Sequence, residues 1–166
     1  MSYRTRLAAA AALTLAFTAG TAVPAFADGH HGNKLIKAEM LKGVTQAETK
    51  VKNDRGIPGG GLPWVISEGE ITVRADGRVK MEVEGLVIDP AETANPAVAG
   101  KNPVAAFKVI VSCLDADGNV TNVSTPTTPA TATGDAELEA MVALPMVCMS
   151  PKAFVTSPTG AWFAQT

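Results

Sequence analysis

Glu68-Gly69-Glu70-Ile71-Thr72-Val73-Arg74-Ala75-Asp76-Gly77-Arg78-Val79-Lys80-Met81-Glu82-Val83-Glu84 decides the fold. Apolar and charged residues alternate on both sides of Asp76-Gly77, which is the period of a half-buried strand and the chemistry of a tight turn. A two-residue turn at Asp76-Gly77 would set Val73 against Lys80 and Ile71 against Glu82. That contradicts the alternation, because a one-residue slip moves every side chain to the other face. A three-residue loop, Ala75-Asp76-Gly77 with Gly77 left-handed, pairs Val73 with Val79 and Ile71 with Met81 instead. One face is then apolar. The other sets Thr72 across from Lys80, Glu70 across from Glu82 and Glu68 near Glu84.

Downstream the same grammar repeats. Asp89 to Pro103 carries Pro90, Pro96, Gly100 and Pro103 and reads as a long surface loop. Residues 105–114 are apolar at nearly every position, as in a central strand buried on both faces. Asp115-Ala116-Asp117-Gly118-Asn119 turns the chain. It has some flavour of a calcium loop but lacks the third alternating carboxylate and the distal Glu. Val120–Val123 is a short strand. Ala136–Leu144 alternates, with Glu137 and Glu139 outward, and Ala153–Thr156 with Ala161–Ala164 makes a last pair. These segments predict an all-β domain, an antiparallel β-sandwich of about six to seven strands, immunoglobulin-like or jelly-roll-like. A true immunoglobulin domain is disfavoured, since no Trp lies between the two cysteines.

Upstream of the hairpin, Arg4 and Arg6 precede an apolar run from Leu7 to Gly20, and Val23-Pro24-Ala25-Phe26-Ala27 supplies a small-x-small cleavage site. Residues 1–27 read as a signal peptide, too short and Ala-rich for a membrane span. Residues 28–58 read as an N-terminal arm and linker: Leu35, Ile36, Met40, Val44 and Val51 recur at mostly helical spacing, while Gly43 and β-branched residues weaken any helix. The expectation is a flexible or marginally helical arm, with the domain starting at residue 59. Cys113 and Cys148, the only cysteines, should form a disulfide in an exported chain. The predicted location is secreted, extracellular or at the cell envelope, of a bacterial chain, with no membrane span after cleavage.

The pattern Gly59-Gly60-Gly61-Leu62-Pro63-Trp64-Val65, then Val111-Ser112-Cys113-Leu114, then Gly160-Ala161-Trp162-Phe163 resembles uncharacterised secreted proteins of actinobacterial type. The resemblance spans roughly residues 56–166. It implies export and one compact domain, and it brings no catalytic residue with it.

Charge narrows the functional classes. Residues 28–55 carry six Lys/Arg against four Asp/Glu, and residues 56–166 carry six against twelve. An acidic body without a basic stripe excludes nucleic acid as the expected partner. No histidine follows His31, and no Gly-x-Ser-x-Gly, zinc signature or phosphate loop occurs, so the inventory leans away from an enzyme.

Four candidate sites remain. Cleavage after Ala27 would expose Asp28-Gly29-His30, whose amine, two amides and imidazole suit square-planar Cu(II) or Ni(II). Glu70 and Glu82, with Glu68 and Glu84, could hold Ca²⁺ or serve as a retaining glycosidase pair, whose carboxyls stand ~5 Å apart. Trp64 and Trp162 could form an aromatic sugar platform, or belong to the core. The fourth is the sandwich surface as a whole. The leading expectation is an exported, non-catalytic binding module that needs no cofactor and recognises a protein or a cell-envelope glycan.

Overall fold

The structure, a computed structural model, describes residues 33–166. The expected signal peptide, residues 1–27, and the expected Asp28-Gly29-His30 copper site lie outside the described residues. In chain order the elements are β1 (Lys34–Ala38), β2 (Lys42–Gly43), a 3₁₀ turn (Gln46–Glu48), β3 (Trp64–Val65), β4 (Glu68–Arg74), β5 (Arg78–Glu84), β6 (Val87–Ile88), β7 (Ala106–Leu114), β8 (Val120–Ser124), β9 (Thr128–Pro129), β10 (Ala136–Met141), β11 (Met149–Thr156) and β12 (Trp162–Gln165). One sheet has the order β1-β4-β5-β10. The other runs β2-β12-β11-β7-β8, with β9 also on β7, and β3 pairs with β6 as a small third sheet. Every strand pairing is antiparallel.

The hairpin has the register that its alternation demands: Val73 pairs with Val79, Ile71 with Met81, Thr72 with Lys80, Glu70 with Glu82 and Glu68 with Glu84. Gly77 sits at φ +90°, and a Cβ there would run into the carbonyl oxygen of Val142, so the turn requires glycine twice over. Ile71, Val73, Val79, Met81 and Val83 are buried and join one apolar cluster with Phe107, Val109, Val111 and Val155 of the second sheet. The core therefore lies between the sheets. Cys113 and Cys148 are disulfide-bonded, with Cα atoms 4.7 Å apart. The bond ties β7 to the chain entering β11.

The second sheet is buried on its far side too. Ile110 and Phe154 are register partners facing away from Val109 and Val155, and Trp162 packs edge-on to Phe154 at 6.2 Å. Residues 49–61 cover this side as a strap. Trp162 N donates to Pro58 O at 2.9 Å and Gly60 N to Trp162 O at 2.8 Å. Arg55, itself buried, donates from Nη2 to Ser150 O at 2.7 Å, while Asn122 Nδ2 reaches Arg55 O at 3.0 Å. Lys152 Nζ donates to Asp54 Oδ2 at 2.7 Å.

Two expectations are corrected here. The arm and linker over 28–58, with a domain start at 59, gives way from residue 34 onward to strands and strap. The helical spacing in it came from a β-bulge: the register of β1 on β4 shifts between Lys34 and Ile36, which sets Leu35 and Ile36 side by side and erases the period of two. The turn-rich run from Asn53 is likewise not a linker, because its backbone is satisfied internally, Asn53 Oδ1 accepting from Arg55 N and Ile57 N. The count of six to seven strands is also low: among the described residues, eight strands have four residues or more, and four others have two each.

Candidate functional site

The outer face of the four-stranded sheet is where sequence and packing disagree most. β5 pairs with β4 on one side and β10 on the other, and the two registers coincide at Glu82, whose neighbours are Glu70 and Glu137. Three carboxylates thus stand abreast, with cross-strand Cα spacings of roughly 5 Å, an arrangement that disfavours pairing when the charges are alike. All three are exposed. The next row on the same face is mixed: Lys37, Thr72, Lys80 and Glu139 follow one another across β1, β4, β5 and β10. Glu139 takes contacts at 3.4 Å from both Arg78 and Lys80. Among the described residues, no ion pair within 4.0 Å reaches Glu70, Glu82 or Glu137.

Two cations of the mixed row, Lys37 and Lys80, stand beside the acidic one. Lys37 bonds Glu39, and that hydrogen bond is the main reason its ammonium is held above the usual lysine value; the charge of Glu70 pushes the same way. The Glu39 carboxyl is lowered in return, chiefly by the same bond.

Two shallow clefts meet on the row. The first, about 640 Å³, lies between Met40, Leu41 and Ile66 on one side and Glu68, Glu84 and the Glu70–Glu82 pair on the other. A second, about 530 Å³, shares Glu70 and Glu82 and continues to Glu137 and Glu139. Volumes of this size are ordinary for ligand sites. The four hairpin glutamates named from the sequence are thereby brought together, Glu70 and Glu82 as direct cross-strand partners. The row is open to solvent along its length and contains a third carboxylate, Glu137. That residue was legible as outward-facing but not as a neighbour of Glu82, because the pairing joins segments 55 residues apart.

The tryptophans are not a platform, which corrects the sugar-stacking expectation. Trp64 is stacked on Phe163 at 4.0 Å and set edge-on to Phe107, Trp162 packs on Phe154, and both indoles are buried. They belong to one apolar cluster but make separate ring contacts within it. Neighbouring residues of one strand point to opposite faces, so Phe163 draws Trp64 into the intersheet core while Trp162 lies under the strap.

Metal ligation finds little support in the described residues, where no group of three or more His, Cys, Asp or Glu side chains could hold an ion. Asp115 spends its carboxylate on its own turn, accepting from Asn119 Nδ2 and from the Asp117 and Asn119 amides, and these bonds, with that of Asn119 foremost, hold its pKa below the usual range. No helix among the described residues is long and apolar enough to cross a membrane. No family model, curated protein or solved structure matches the chain.

Proposed function

We propose that the protein is an exported, non-catalytic binding module that docks a cationic partner polypeptide on the outer face of its four-stranded sheet. The observation that carries this reading is the row Glu70–Glu82–Glu137, three like charges on adjacent strands with no ion pair among the described residues to offset them. Alternating lysines at these positions would strengthen the sheet, so the row costs stability that a bound cation would return. The signal-like first 27 residues and the disulfide support export, since such bonds persist in oxidising compartments.

Fluorescence anisotropy of a labelled lysine decapeptide tests it. Binding should be measurable in low salt and weaken at least about tenfold when ionic strength rises to ~0.5 M, where screening shortens to a few ångströms. The triple variant Glu70→Gln/Glu82→Gln/Glu137→Gln should lose that binding while keeping its thermal unfolding transition. Undiminished binding by the triple variant, or none by the parent protein, would overturn the proposal.

A further inference from the structure

Charge is only half of what the first cleft offers. Its other wall is apolar, and Met40 stands on it at 87 % exposure, a flexible thioether side chain in open solvent directly across from glutamates. Leu41 and Ile66 are half-buried beside it. Their δ-carbons close over β4 at Gly69, where an added Cβ would meet each of them at 2.8 Å. Gly69 pairs with the core-facing Val83, so the missing Cβ is on the inner side of β4, where Leu41 and Ile66 pack; the same two side chains line the cleft with Met40. An apolar stem entering this cleft would lose water along one side while a cationic head or a neighbouring cation reached the other.

Resting on the cationic-partner reading above, we infer that this cleft selects an extended basic segment in which a leucine-sized apolar residue adjoins a lysine or arginine. The occupant is fixed by complementarity on both walls. Five carboxylates, those of Glu39, Glu68, Glu70, Glu82 and Glu84, line a single cleft with methionine, leucine and isoleucine, and Lys37 beside them answers only part of that charge. A purely apolar ligand would strand the carboxylates, and a purely charged one would leave Met40 wet. In an extended segment successive side chains point apart, and residues two apart lie about 7 Å from each other on one side, so lysines flanking the apolar residue reach both the cleft rim and the row leading to Glu137.

Two labelled octapeptides decide it, each with four lysines, one carrying a central leucine and the other serine in its place. The parent protein should bind the leucine peptide about tenfold more tightly, the gain expected from burying most of one such side chain. The preference should disappear in Met40→Ser, where an exposed side chain is changed, and persist in Met40→Leu, which keeps the apolar wall. Circular dichroism of both variants verifies their fold. Equal affinity for the two peptides overturns this inference and leaves the cationic-partner reading standing. Binding of neither overturns both. A leucine preference that survives Met40→Ser overturns the placement in this cleft.

Discussion

The outer faces of the two sheets are treated in opposite ways. On the β2-β12-β11-β7-β8 sheet the outward face sets buried Ile110, Phe154 and Trp162 beside Lys108, Ser112 and Lys152, and the strap of residues 49–61 ties down onto it through Asp54 and Arg55. On the β1-β4-β5-β10 sheet the outward residues, buried Thr72 apart, are mostly charged, and the glutamates among them are exposed. The difference teaches where selection for stability stops. A covered face explains its own residues through burial. An open face needs only to be polar, and a mixture of signs would serve that better than three glutamates abreast.

The sharpest way to break this contrast is to cut into the covered side. Trp162→Ala should cost about 3 to 5 kcal/mol in urea denaturation, as large-to-small changes in a packed core do; a cost below about 1 kcal/mol would mean that the strap does not seal that face. Next in size is the disulfide. Replacing Cys113 and Cys148 by alanine opens a link across 35 residues and should cost about 3 to 4 kcal/mol on the chain-entropy argument, read as a lowered denaturation midpoint.

A smaller effect lies where the strap begins. Glu48 accepts from Thr45 N and Thr45 Oγ1 and pairs with Lys42, and these bonds, the Thr45 hydroxyl first, hold its carboxyl at about 2. Its folded value lies below the ordinary unfolded one near 4.3, so the stabilisation is complete above that value and is lost as pH falls towards 2. Glu48→Gln should therefore cost about 1 kcal/mol at pH 7, the usual worth of such a turn-closing contact, and the gap between variant and parent should close in acid. Smallest, and opposite in sign, is Glu82→Gln. It removes the middle charge of the row and should stabilise by a few tenths of a kcal/mol in low salt, more than Glu70→Gln does, with the gain shrinking as salt is added.

Local grammar carried much of this fold. The period of two, the Asp-Gly turn and the requirement that one face be apolar were enough to place Ile71 opposite Met81 and to leave Glu70 opposite Glu82. Two kinds of information were not local. The bulge in β1 disguised a strand as a marginal helix, because period-counting assumes regular pairing. The strap was hidden for a different reason: Asn53, Gly56, Pro58 and Gly59 are what a linker would contain, and only tertiary contacts such as Arg55 on Ser150 show that the turn is packed. Half of the candidate site was legible in the same way. Glu68, Glu70, Glu82 and Glu84 could be read from one hairpin, whereas Glu137, Met40 and Leu41 arrive from elements whose neighbours no short window reveals.

Lys37 gives the acidic row a property that its carboxylates alone would lack. Its ammonium is tethered to the sheet and bonded to Glu39, close enough to feel Glu70, so on the proposed reading it would compete with dissolved amines at a high effective concentration. A single free amine at low concentration cannot displace it. A segment carrying several cations can, because each contact made raises the local concentration of the next. If the face docks cations as proposed above, Lys37 would make it discriminate by valency rather than attract every cation alike.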